Sequence, residues 1–177
     1  EQQRLLANLI TQLNLDRTPL PHFWYFPHGK KAVVIMTGDD HAANGTPGRF
    51  DQYLANSTAG CSVADWECLR STSYIYPNSG FTDAQAAAYA AQGFEVALHV
   101  TTNCGNYTEA TLNSFFTTQL SSFASTYPSI PAPATNRTHC VAWSDWATQI
   151  KVELSHSIRL DTTYYAYPAA WIGNRPG

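Results

Sequence analysis

Short apolar runs alternate with helical stretches along most of this chain, and that alternation narrows the fold more than any other feature. Ala32 to Thr37 reads as a buried strand. "STSYIYP" is a second strand, stopped by Pro77, and "FEVALHV" a third. "ATNRTHCVAW" and "SIRLDTTYYAY" read as a fourth and a fifth. Between them, "GTPGRFDQYLA" suggests a turn and a short helix. "TDAQAAAYAAQG" is a marked helix, with Thr82 as N-cap, Gln85 at the capping-box position and Gly93 just past the end. A long helix runs from about Thr108 to Tyr127, with Leu112, Phe115, Phe116, Leu120 and Phe123 on one side and Pro128 as its stop. "SDWATQIKVELSH" reads as a helix capped by Ser144. Strands alternating with helices predict an α/β fold with a parallel sheet, either doubly wound or part of a β/α barrel. In both, chemistry gathers at the carboxyl ends of the strands.

Upstream, "QQRLLANLITQLN" carries the helical stripe Leu5, Leu6, Leu9, Ile10 and Leu13, and "TPLPHFWYFPHG" reads as an extended aromatic connector. The expected organisation is therefore an N-terminal helix and connector over 1–29 and an α/β domain over 30–177. Charged residues are only 13% of the 177, about half the usual share, and the net charge is −3. That balance argues against nucleic acid or an anionic membrane as partner, and no apolar run reaches the roughly 20 residues of a membrane span. With Glu1 at its start and no basic-then-apolar leader, the chain reads as a processed product.

Four cysteines, few charges and many Ser, Thr, Asn and Tyr suggest an oxidising setting, secreted, cell-surface or periplasmic. Cys61, Cys68, Cys104 and Cys140 lack the paired Cys-x-x-Cys spacing of a four-cysteine zinc site, which favours disulfides. Asn56, Asn106 and Asn136 each head an Asn-x-Ser/Thr triplet, so glycosylation is permitted there.

Polar residues cluster where the expected strands end: Asp39, Asp40 and His41; His99 to Cys104; Arg137 to Cys140; Asp161. For the aspartate pair the plainer reading is a solvated turn or an N-cap for the next helix. The sharper reading follows from its place at the end of an apolar strand, where one carboxylate ligates a cation and the other takes a proton. His99 and His139 are candidate imidazole ligands, against a packing role for each. His41 ranks lower, because adjacent residues in a strand rarely both point at one ion. Arg137 is either a surface arginine or the partner that fixes the direction of Asp39.

"AVVIMTGDDH", "GFEVALHVTTN", "TNRTHC" and "IRLDTTYY" resemble, in order and spacing, the motifs of the polysaccharide deacetylase family, carbohydrate esterase family four. The resemblance spans roughly residues 30 to 165, and "GFEVALH" is its most specific part. It implies a distorted (β/α)7 barrel with zinc or another divalent ion at the strand ends. It also implies hydrolysis of N- or O-acetyl groups on a carbohydrate polymer. By position Asp39 resembles the family's base, Asp40 and His99 its first two metal ligands, Arg137 the arginine that holds the base, and Asp161 the acidic residue of a later motif.

The departures are specific. The family's second histidine falls on Asn103, a weaker ligand, for which His139 is a substitute inferred here. The glycine after the aspartate pair is His41, and no Leu-x-His motif follows Asp161. The barrel is thus expected to be incomplete in this chain, finished by missing sequence or a partner chain. Within this resemblance, a Cys104–Cys140 bridge would staple two loops around the site and Cys61–Cys68 would close a small loop, one of three connectivities. The implied mechanism has a metal polarising the acetyl carbonyl and acidifying water while Asp39 removes its proton. Trp143, Trp146, Tyr164, Tyr165 and Trp171 are candidates for stacking on sugar rings, or for plain packing. The rival class is a non-catalytic carbohydrate-binding or secreted structural module on the same scaffold.

Overall fold

The computed structural model describes residues 2–13, 32–42 and 45–163. The aromatic connector, the downstream part of the fifth expected strand, and Tyr164, Tyr165 and Trp171 lie outside them. The chain divides into two units, Glu1–Val34 and Ile35–Gly177. In the first, the Leu/Ile stripe forms α1 (Gln2–Leu13), with Leu5, Leu6, Leu9, Ile10 and Leu13 all exposed.

The second unit alternates as its sequence does: β1 (Thr37–Asp40), α2 (Gly45–Asn56), β2 (Thr72–Ile75), α3 (Asp83–Ala90), β3 (Glu95–Leu98), α4 (Glu109–Thr126), β4 (Thr135–Asn136), α5 (Thr148–Ser155) and β5 (Leu160–Asp161). Strands β1, β2 and β3 form one parallel sheet in that order, with Asp39 opposite Tyr74 and Tyr74 opposite Ala97. A separate parallel pair joins β4 to β5. Three of the four residues of β2 and of β3 are buried, as expected where helices cover a parallel sheet.

The helix signals act locally. Thr82 Oγ1 accepts from Gln85 N–H while Gln85 Oε1 accepts from Thr82 N–H, so the capping box closes as read. Thr108 and Thr111 do the same for α4. Leu112, Phe116 and Phe123 of α4 are buried in the core beside β3, with Phe115 and Leu120 at its margin. Phe50 of α2 stacks on Phe94 at 4.2 Å and meets Tyr89 edge-on at 5.1 Å. Each such fully buried ring contributes up to about 3 kcal/mol.

Several expectations are corrected. Among the described residues no part of a (β/α)7 barrel forms, even an incomplete one: their five strands of two to four residues lie in two separate sheets, too few and too short to close on themselves. The buried strand expected over Ala32 to Thr37 is displaced, because pairing begins only at Thr37 and Val33, Val34 and Ile35 are exposed. Among the described residues, β1 therefore has a strand partner on one side only. The fourth strand is paired for two residues before the chain turns through a 3₁₀ segment, His139–Val141. Ser144 does not cap α5. Its hydroxyl accepts from Tyr107 N–H, and Asp145 Oδ1 accepts from Ala147 and Thr148 N–H instead.

Candidate metal centre

Strand β1 delivers Asp39 and Asp40 to opposite sides. Asp40 turns to the start of α2, where its Oδ2 accepts from Thr46 N–H at 2.6 Å and Thr46 Oγ1 at 2.7 Å. Burial works to raise this carboxyl, but those bonds and the N–H groups of Gly45 and Ala42 outweigh it and leave it below its usual range. Asp40 is thus bonded at the helix terminus, the plainer of its two readings, and its carboxylate is not among the groups that converge with His99 and His139.

Asp39 points the other way. Its Oδ1 lies 3.5 Å from Arg137 Nε, and its Oδ2 lies 3.5 Å from His41 Nε2 and 3.8 Å from His99 Nε2. His99 follows β3 directly and is 1% exposed. Its Nδ1 sits 2.7 Å from the carbonyl oxygen of Arg137, which can only accept. Nδ1 therefore carries the proton, and Nε2 presents its lone pair towards His139 Nδ1 at 3.2 Å. Such a carbonyl partner on the far nitrogen is what orients a metal-ligating histidine. Backbone bonds fix both residues: His99 N–H donates to Ile75 O at 2.9 Å and His139 N–H to Val100 O at 2.7 Å.

The third imidazole is His41. The strand has ended at Asp40 and the chain bends there, so the alternation that argued against His41 no longer applies. Its ring stacks on His99 at 5.1 Å and meets His139 edge-on at 4.6 Å. Tyr76, just past β2, closes the cluster 5.3 Å from His41 and 5.4 Å from His99. Burial pushes His99 down to about 4, against the opposing pulls of the Arg137 carbonyl and Asp39. Burial and then the neighbouring His41 also lower His139. Both shifts favour the neutral imidazole, the form that ligates.

One nitrogen from each of His41, His99 and His139 lies within 4.8 Å of the others. A tetrahedral zinc with nitrogens at about 2.0–2.1 Å needs them roughly 3.3 Å apart. The His99–His139 pair already has that spacing, and His41, half exposed, has room to swing in. The donor set fits a borderline divalent ion such as zinc.

Other expected site residues lie elsewhere. Asp161 on β5 does not join the cluster. Its carboxylate accepts from Thr163 N–H and Oγ1, within a buried polar network that includes Asn136, Gln149 and Glu153. Asn103 sits on an exposed turn with left-handed backbone (φ 56°), its N–H donating to Thr101 Oγ1. Asn136 is 1% exposed and its Nδ2 donates to Glu153 and Thr138, so this triplet is closed to glycosylation in the fold, whereas Asn56 and Asn106 are exposed. Trp146 is exposed and Trp143 half-buried. Both disulfides are present, Cys61–Cys68 and Cys104–Cys140. The second joins the turn after β3 to the residue next to His139.

His41 and Tyr76 are the members that sequence reasoning ranked low or passed over. The signal for both was position, one residue beyond a strand end. No helix among the described residues is long and apolar enough to cross a membrane. No protein-family model, curated protein or solved structure matches the chain.

Proposed function

We propose that this chain is a metal-dependent hydrolase that removes acetyl groups from a carbohydrate polymer, with His41, His99 and His139 as ligands and Asp39 as base. The observation that carries it is the convergence of three imidazoles on a carboxylate that an arginine faces. The motif resemblance supplies the substrate class.

Each residue then has a task. His99 is held by the Arg137 carbonyl with its lone pair in the site, and His139 is fixed by Val100 O. For Nδ1 of His139 to ligate, its proton moves to Nε2. Arg137 directs Asp39 through Oδ1, which leaves Oδ2 on the histidine side to take the proton of an attacking water. A divalent ion at this site supplies positive charge that polarises a carbonyl oxygen and acidifies water. Two disulfides suit an extracytoplasmic setting, and we read the protein as secreted or cell-surface.

The test is acetate release from N-acetylated chitin oligosaccharides and O-acetylated xylan, with Asp39→Asn as control. Release by the wild type, abolished in a variant that keeps its metal, is the expected result. Metal binding and glycan retention without acetate release would refute the hydrolase and leave a carbohydrate-binding module.

A further inference from the structure

His139 belongs to two donor sets. One is the three-imidazole cluster; the other is His139 with Cys104 and Cys140, whose ligand atoms also lie within 4.8 Å of one another. While the cysteines are bridged, their sulfurs are not thiolates and the second set is closed. The two bridges differ in setting. Cys104 and Cys140 are both exposed, whereas Cys61 and Cys68 are half-buried. Among the described residues only the exposed bridge adjoins a histidine cluster.

Its surroundings also carry backbone strain. Asn103, Cys104, Cys140 and Val141 all have φ between 54° and 60°, left-handed backbone that costs a non-glycine residue roughly 1 kcal/mol or more, most for β-branched Val141. The bridge pins these turns together, so opening it lets both relax.

We propose that the Cys104–Cys140 disulfide is a redox gate on the metal centre: its reduction creates a Cys104/Cys140/His139 site that takes a thiophilic divalent ion and withdraws His139 from the three-imidazole set. In the gate step a dithiol reductant attacks the disulfide by thiol–disulfide exchange. Two electrons pass to the S–S bond, two cysteine thiols form, and the reductant leaves as its own disulfide. On metal binding both thiols release their protons to solvent, and two thiolates, a neutral imidazole and a water complete a tetrahedral set. The sulfurs have to part to roughly 3.8 Å to share one ion with bonds of about 2.3 Å. The exposed turns on either side allow that. Because the gate withdraws His139 from the first set when the second forms, each redox state is expected to hold one ion per chain. This inference concerns regulation of the site proposed above and rests on that reading.

Cobalt(II) absorption separates the two. In the oxidised protein, bound cobalt is expected to show ligand-field bands without thiolate charge transfer, lost in His99→Ala. Their absence would overturn the three-imidazole reading. After reduction with a trialkylphosphine, the thiolate-to-cobalt charge-transfer band is expected at one cobalt per chain. It should persist in His99→Ala and in Cys61→Ser/Cys68→Ser, and be lost in Cys104→Ser and in His139→Ala. No such band in the reduced wild type with four free thiols confirmed, or two cobalt ions per chain, would overturn the gate.

Discussion

Glu153 carries a prediction that the buried network makes quantitative. It lies on α5, 3% exposed. Its Oε1 accepts from Asn136 Nδ2 and Gln149 Nε2, each at 2.7 Å, and its carboxyl hydrogen-bonds Asp161. Burial first, and then Asp161, push Glu153 from 4.5 up to about 9. The bond between two carboxyl groups needs one proton, so the folded chain keeps a proton at neutral pH that the unfolded chain releases. Between those two values the native state binds one more proton than the unfolded state. The stability this contributes is complete below 4.5 and lost as pH rises towards 9, with a slope of up to about 1.4 kcal/mol per pH unit. Glu153→Gln keeps the shape of the neutral acid: Oε1 still accepts, and Nε2 donates to Asp161. Urea unfolding of both proteins at pH 5.5, 6.5 and 7.5 reads the difference. The variant should gain on the wild type as pH rises over that interval, by up to about 3 kcal/mol. A difference independent of pH would refute the shared proton.

Three shorter predictions rest on packing and exposure. Phe116→Ala, at a fully buried position of α4, should cost about 3–5 kcal/mol in chemical unfolding; a loss below about 1 kcal/mol would contradict the core described here. Gly93→Ala places a Cβ 2.6 Å from Val63 Cγ1 at φ 90°, and thermal unfolding should show a loss of at least about 1 kcal/mol. In a glycosylating host, mass spectrometry of the folded protein should find Asn136 unmodified and any glycan on Asn56 or Asn106; a glycan at Asn136 would contradict its burial.

What was legible in the sequence was mostly local. The Thr82/Gln85 box needs only three residues of context, and the α4 stripe follows from the 3.6-residue period. Parallel pairing followed from alternation, and Arg137 does lie beside Asp39. Tertiary competition decided the rest. Asp40 bonds Thr46 at the start of α2, a partner six residues on that the aspartate pair by itself did not announce. His41 was marked down by a strand periodicity that stops one residue before it. The run "ATNRTHCVAW" reads as one strand, yet Thr138 N–H goes to Thr163 Oγ1 and His139 N–H to Val100 O, and β4 ends after Asn136. Asp161 was placed with the site by motif order, and the structure shows its carboxylate bonded to Thr163 and Asn136. Alternation allowed a barrel or a doubly wound sheet, the resemblance chose the barrel, and the absent Leu-x-His motif already spoke against its closure in this chain.

The central claim is a three-imidazole metal centre that does not use Asp40. Its most direct test is the metal content of oxidised protein purified without chelator, for the wild type, His41→Ala, His99→Ala and Asp40→Asn. The account predicts one divalent ion per chain in the wild type and in Asp40→Asn, and loss in both histidine variants. No metal in the wild type, or metal kept in His41→Ala and lost in Asp40→Asn, would contradict it.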